Sequence, residues 1–430
     1  MSVSKRTIEL WKKNKKIKPL QDGSYAVRDL SHLAPIKEML SSNWTIEQSV
    51  KPLKKYKSIE LFAGAGGMAL GLEYAGFDAV ALNELDKDAC KSLKINRPSW
   101  NILEGSIEKY DFKDFKDVDF VSGGFPCQAF SYAGKKLGFQ DTRGTLFYEF
   151  SRVINEVKPK VFMGENVRGL LSHDNGKTLE TIKTIIKELG YTLIEPKVLK
   201  AIFYRVPQKR ERLLLIAIRN DLAKYNNFSY PDPYHKVLTL RDALKKGELF
   251  NNDCPESHGQ KYPQRKKEVL SMVPPGGCWV DLPDTIQREY MQKSYFMGGG
   301  KTGMARRLSY DSPSLTLTCA PAQKQTERCH PEETRPLNVR EYARIQTFPD
   351  DWVFEGSLSS QYKQIGNAVP VNLANAVGKS LIALLNNIEE EKEISLNHYK
   401  SEEKIEQMTL LEDKSLYITS GCTQSLNSDE

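Results

Sequence analysis

Val118-Asp119-Phe120-Val121-Ser122-Gly123-Gly124-Phe125-Pro126-Cys127-Gln128 is the stretch whose reading decides the fold. Its β-branched and aromatic residues read as a buried strand, which two glycines and a proline turn out of the sheet. Open α/β sheets bind their ligands at the carboxyl ends of their strands, so the turn offers one cysteine at such a place. A free cysteine is more often an inert buried thiol than a nucleophile. Its neighbours along the chain decide between the two.

Outward from this strand, apolar runs alternate with helical spacing. Ser58–Phe62, Ala79–Asn83, Asn101–Leu103, Val161–Gly164 and Leu213–Ile218 have the look of short buried strands. Met68–Ala75, Lys87–Ile95, Leu146–Val157 and Lys177–Leu189 carry apolar residues at helical intervals. The alternation predicts an α/β fold, a doubly wound and mostly parallel sheet with helices on both faces. It stops near Arg219. From 222 to 334, breakers such as Pro274-Pro275-Gly276-Gly277 and Gly298-Gly299-Gly300 interrupt every run, which predicts a second, smaller, loop-rich domain. Helical spacing returns at Val339–Gln346 and Val371–Leu385. The expected organisation is a basic extension over 1–56, a first domain over 57–221, the loop-rich domain over 222–334, a return over 335–387, and a polar acidic tail over 388–430.

Composition narrows the class. A hydrophobic content of 40% excludes wholesale disorder, and no run of eighteen apolar residues offers a membrane span. Seven cysteines, at 90, 127, 254, 278, 319, 329 and 422, are odd in number and form no CxxC pair. A disulfide framework and a metal site are therefore not expected, and a reducing cytoplasm fits. Charge is uneven: residues 1–57 hold 13 Lys/Arg against 5 Asp/Glu, and residues 388–430 hold 4 against 11. A basic arm on a mildly basic body suits a polyanion, although a basic face is as often merely solvated.

The strand Ile59-Glu60-Leu61-Phe62 runs into Ala63-Gly64-Ala65-Gly66-Gly67 and then a helix. Such glycines let a ligand approach the backbone, and the helix start offers free N–H groups. Glu84, ending the next strand, is placed to accept from ribose hydroxyls. NAD, a flavin and S-adenosylmethionine all fit this pattern; the absent third glycine leans against NAD. The glycine-punctuated run from Gly134 to Thr145 is long enough to close over a substrate. Glu165, on the turn after the next strand, would lie near Cys127 if the two strands are neighbours. Arg210 and Arg212 share a strand face at i and i+2, where two guanidiniums could orient an anion or a carbonyl oxygen.

Taken in order, Phe62-Ala-Gly-x-Gly-Gly67, Pro126-Cys-Gln128, Glu165-Asn-Val167, Gln208-x-Arg-x-Arg212, Arg340-x-x-x-Arg-x-Gln-x-Phe-Pro349 and Gln364-x-Gly-Asn-x-Val-Pro370 resemble the DNA (cytosine-5) methyltransferases over about residues 57–385. The resemblance implies that Cys127 adds to C6 of a cytosine flipped out of duplex DNA. It implies that Glu165 engages N3 and the exocyclic amine, and that Arg212, with Arg210, holds O2 and the carboxylate. S-adenosyl-L-methionine would supply the methyl group to C5. Its matching positions are Phe62, Gly64, Gly66, Glu84, Leu85, Ser106, Ile107, Pro126, Leu146 and Asn367. Ser106 stands where many members have Asp; its hydroxyl can still accept from an adenine amine.

The same resemblance makes 127–145 a mobile catalytic loop, with Gln128, Ser131 and Arg143 facing DNA, and 222–334 a target recognition domain. Within that domain Arg306, Arg307, Gln323, Lys324, Gln325 and Arg328 are candidates for base edges or phosphates. Pro313 to His330 is similar to the recognition stretch of bacterial modification methylases that read GGNCC-type sites. The expected partners are duplex DNA with a short palindromic site and a cognate restriction endonuclease, paired in function without a stable complex. A monomer is expected, associated with the nucleoid through DNA. Two other readings are an RNA cytosine-5 methyltransferase on the same scaffold and a regulatory DNA-binding protein. The absence of a Cys-Phe-Thr signature weighs against the first, and intact Cys127, Glu165 and Arg212 weigh against the second.

Overall fold

The computed structural model describes residues 5–14, 17, 30–31, 33–125, 145–297 and 302–394. Pro126, Cys127, Gln128, Ser131 and Arg143 lie outside the described residues, as does the tail beyond 394. The central sheet is built from β1 (Tyr56–Leu61), β2 (Phe77–Glu84), β3 (Ile102–Glu104), β4 (Phe120–Gly124), β5 (Val161–Val167), β6 (Tyr191–Leu193), β7 (Lys197–Lys200) and β9 (Glu211–Arg219). A two-stranded piece pairs β8 (Gln208–Lys209) with β10 (Ser314–Leu315).

The sheet runs β3-β2-β1-β4-β5-β9-β6, with β7 also on β9. β1 to β5 are parallel, as the alternation predicts. β9 runs antiparallel to β5, and β6 and β7 run antiparallel to β9, so the sheet is mixed on that side. Chain order reverses between β1 and β4. Their connections depart in opposite directions and leave a crevice at the carboxyl ends, where the glycine loop and the Phe125 turn both stand.

Local chemistry explains the element ends. Helix Lys87–Asn96 begins where the Asp86 carboxylate accepts from the amides of Asp88 and Ala89, a cap worth about 1 kcal/mol. Helix Leu146–Val157 is capped by the Thr145 hydroxyl, which accepts from Tyr148 N at 3.0 Å. It buries Phe147, Phe150, Val153 and Ile154 on one face and stops at Lys158 in a left-handed conformation. Helix Gly67–Ala75 packs so tightly on the C-terminal strap that a Cβ on Gly67 would stand 2.3 Å from the carbonyl oxygen of Val369.

Two features add to the expected organisation. The extension packs on the body over 42–50: Trp44 is buried edge-on to Tyr234, Ser42 donates to the Pro233 carbonyl, and Asp232 accepts from Asn43 N. The 222–334 stretch is also not one unit. Tyr234, Leu238, Leu240, Ala243 and Leu244 sit in the main cores, while 262–329 builds a small core of its own from Tyr262, Val269, Leu270, Val273, Leu282, Ala305 and Cys329. Short helices there (Gln264–Ser271, Asp284–Met291) were not legible among the breakers. The helical stretch Leu358–Ile394, broken at 368–370, has the length and apolarity to cross a membrane, but its most apolar window is 72% buried, as in a core helix.

Candidate active site

A cleft of about 770 Å³ opens between the ends of β1, β4 and β5. Its floor is the glycine loop. Phe62 and Gly64 both have positive φ (59° and 56°), and a Cβ on Gly64 would meet nothing within 4 Å, so the loop presents bare backbone to the cleft. Glu84 fixes that loop: its two carboxylate oxygens accept from Gly64 N at 2.6 Å and Asp86 N at 2.7 Å. Beside it, the Asn83 amide donates to the carbonyls of Leu103 and Gly105 and sets the course of the Ser106–Ile107 turn.

Glu60 is the residue that sequence reasoning missed here. It is 4% exposed, lines the cleft, and has one carboxyl oxygen without a partner. Burial pushes its carboxyl well above the usual range, offset in part by the Ala69 amide and reinforced by the charge of Glu84. The signal was present, since Glu60 stands between Ile59 and Leu61 at the buried end of the strand.

On the opposite wall, Glu165 at the end of β5 pairs with Arg212 at the start of β9, Nε to Oε1 at 2.5 Å. The ladder sets this contact, because Val167 stands opposite Arg212 across the antiparallel pair. Burial pulls the Arg212 guanidinium below its ordinary value, and Glu165 opposes that shift. The Glu165 carboxylate also reaches the end of β4, 2.9 Å from where a Gly124 Cβ would be. Next to it, buried Asn166 donates to the Phe125 carbonyl at 2.7 Å, clamping the residue that precedes Pro126-Cys127.

Arg210 plays a different part from Arg212. It is 2% exposed and donates to the carbonyls of Leu317, Gly366 and Asn367, so it buttresses the wall of the cleft. The motif glutamines are connectors too. Gln208 donates to Gln346 and accepts from Leu317 N, and Gln346 donates to the carbonyls of Ile365 and Ala368. These bonds set Asn367 at the mouth, where its side-chain oxygen accepts from the exposed Cys319 thiol at 3.1 Å. The Thr316–Cys319 wall was not foreseen, since nothing in that irregular stretch marks it.

Phe62, Gly64, Glu84, Glu165, Arg210, Arg212 and Asn367 thus meet around one cleft. Leu85, Ser106, Ile107 and Leu146 are not on its lining; Leu85 and Leu146 are exposed, at 69% and 37%. Gly66 lies beneath the loop, 2.7 Å from Leu93 for an added Cβ, and serves the turn itself. In the loop-rich region Gln323 and Gln325 are exposed, while Lys324 and Arg306 are half-buried. Arg307 and Arg328 differ from expectation. Both are 4% exposed, Arg307 donating to the carbonyls of Leu270 and His330 and Arg328 to those of Thr316 and Glu327. Guanidiniums spent on buried carbonyls hold the fold and do not reach a base edge.

A glycine cradle and an acid–arginine pair thus face one cleft at the switch point of the sheet, the place where open α/β sheets bind their ligands. The comparisons with known proteins give the family. Residues 56–383 match the model of the C-5 cytosine-specific DNA methylases, and the chain belongs to that family. It is a DNA cytosine-5 methyltransferase. The type II methyltransferase M.Eco47II of Escherichia coli is 62% identical over 394 residues, covering 90% of this chain and 94% of that protein. M.PspPI of Psychrobacter sp. (strain TA137) is 58% identical over 90% of this chain and 94% of that one, and M.Sau96I of Staphylococcus aureus 53% over 79% and 78%. Among solved structures, an E. coli prophage protein described as a DNA modification methyltransferase shares the fold. Its TM-score is 0.56 at 23% identity, over 77% of this chain and all of that one.

Proposed function

We propose that this enzyme is the modification methyltransferase of a type II restriction–modification system, methylating cytosine within one short palindromic site and so sparing host DNA from a partner endonuclease. The names of its relatives at 62%, 58% and 53% identity support this role. The observation that carries the chemistry is the Glu165–Arg212 pair facing the end of β4 across the glycine cradle.

The residues fit S-adenosyl-L-methionine as methyl donor. Bare backbone at Gly64, the Glu84 carboxylate and the unpartnered oxygen of Glu60 make an open cradle with hydrogen-bond acceptors and one carboxylate charge, suited to a cationic nucleoside. Phe62, Gly64, Glu84 and Asn367, which line the cleft, would hold it. When bound, it supplies a methyl group activated by a positively charged sulfur.

The protein's own work is on the cytosine. Cys127 adds as thiolate to C6 of the flipped base, breaking the C5–C6 double bond and placing electron density on C5 and N3. Glu165 engages N3 and the amine and relieves that charge; Arg212 keeps Glu165 oriented and holds O2, while Arg210 fixes the wall behind them. After C5 is alkylated, loss of its proton returns the electrons and expels Cys127. Gln128, Ser131 and Arg143 would face the DNA from the catalytic loop. The 313–330 stretch, with Gln323 and Gln325 exposed and Lys324 between them, would read a GGNCC-type site.

The test is a duplex carrying 5-fluorocytosine at the target. Fluorine at C5 cannot leave as a proton does, so the C6 adduct should persist as a denaturant-resistant complex that requires S-adenosyl-L-methionine. The complex should be absent with Cys127→Ala. An adduct that survives this substitution would remove Cys127 from the mechanism.

A further inference from the structure

Outside the cleft, one cluster of buried charge lies under the 320–328 loop. Glu327 is 0% exposed, meets the Lys266 ammonium at 2.5 Å and accepts from the Tyr290 hydroxyl at 2.8 Å. Lys266 also donates to the Ala322 carbonyl at 2.7 Å, and the Lys324 ammonium lies 5.0 Å from the centre of the Tyr290 ring. Apolar residues of similar volume often replace a buried ion pair with no loss of stability, so stability alone is a weak reason for these charges.

Their geometry supplies another reason. Every one of those contacts bears on the short loop that carries Gln323 and Gln325 outward, both exposed. Two further sides are fixed. Glu327 N donates to the Gly303 carbonyl at 2.9 Å, and Arg328 N closes the loop on Pro321 at 3.0 Å. Next along the chain, the buried Arg328 guanidinium donates to the Thr316 carbonyl at 3.2 Å, and Thr316 lines the cleft. The dipeptide Glu327-Arg328 therefore ties the C-terminal end of the loop both to the small core and to the cleft wall.

We propose that Lys266, Glu327 and Tyr290 are positioning residues for sequence discrimination. The buried pair sets the height and orientation at which the Gln323 and Gln325 amides meet base edges, and Arg328 registers that height against the cleft. An amide reads a base through hydrogen bonds that weaken steeply with angle and distance, so a loop that loses its pin loses the distinction between right and wrong bases first. This deepens, and rests on, the reading of 313–330 as the DNA-reading stretch.

The experiment uses the full chain and duplexes carrying the mapped site or that site with one base pair changed away from the target cytosine. Its readout is the ratio of kcat/KM between the two. Glu327→Gln should lower the ratio about tenfold, the scale of one base pair's contribution, mainly through KM for the correct duplex. Lys266→Met combined with Glu327→Leu should recover the melting temperature and leave the ratio low, which a purely structural role would not do. Should Glu327→Gln fold poorly, Tyr290→Phe gives the same readout with a smaller fall. A ratio unchanged in all three, while Gln323→Ala with Gln325→Ala lowers it, overturns the pin and keeps the loop reading. If the glutamine pair also leaves the ratio unchanged, the loop reading fails and the pin falls with it.

Discussion

At the carboxyl edge of the sheet, Glu60, Glu84, Glu165 and Arg212 all stand on strands or strand ends, and backbone ladders fix where each one is. In the 262–329 region few ladders exist, and long side chains take their place. Arg307 donates to the carbonyls of Leu270 and His330, Arg328 to that of Thr316, and Lys266 to that of Ala322. Where the backbone satisfies itself, charged side chains are released for chemistry. Where it cannot, they are consumed as struts, because a buried carbonyl without a donor is costly.

That contrast can be broken at either end. The largest effect should come from Cys127→Ala, which should cut methyl transfer by more than about a thousandfold, with S-adenosyl-L-methionine binding by calorimetry retained. Glu165→Gln comes next, with kcat down about a hundredfold or more as the charge on N3 goes unrelieved. Its melting temperature should fall as well, because the largely buried Arg212 guanidinium loses its counter-ion. Arg307→Met should spare the chemistry and act on stability alone. Thermal melting should show a loss of about 3 kcal/mol from carbonyls left without donors, while cofactor affinity stays unchanged. A stable Arg307→Met protein with altered site preference would return Arg307 to DNA reading.

The smallest effect concerns pH. The Glu60 carboxyl is raised in the folded chain, so the folded form keeps a proton that the unfolded form has lost. Stability from this group therefore falls as pH rises above the ordinary carboxylate value of 4.5 towards the raised one. Glu60→Gln removes that cost. Its melting temperature without cofactor should exceed that of the parent by on the order of 2 °C at pH 8, and the gap should close towards pH 4.5. A gap that is constant with pH would mean that Glu60 ionises freely.

The same contrast explains what the sequence made legible. β1, β2, β4 and β5 show as short apolar runs because each is buried on both faces, Phe120 and Val121 of β4 entering different cores, whereas helices 146–157 and 177–188 show helical spacing because each buries one face in one core. The motif residues Glu84, Glu165 and Arg212 were visible because they interrupt or end those runs. Arg307 and Arg328 misled, since a basic residue on a loop looks the same whether its guanidinium faces DNA or a buried carbonyl. Glu327 and Lys266 stand sixty-one positions apart in the chain, and nothing local announces that they pair. The antiparallel turn of β9 on β5 was hidden for a related reason: a strand buried on both faces reads the same in either direction.

The central claim is site-specific methylation of cytosine in DNA at C5 by the Glu165–Arg212 cleft and Cys127. It is tested most directly by incubating the purified protein with S-adenosyl-L-methionine and mixed-sequence genomic DNA, then mapping 5-methylcytosine by bisulfite sequencing. The expected result is methylation confined to one short palindromic motif of GGNCC type and absent with Cys127→Ala. Methylation scattered without a motif, transfer to RNA in place of DNA, or a methylated product that persists with Cys127→Ala would contradict it.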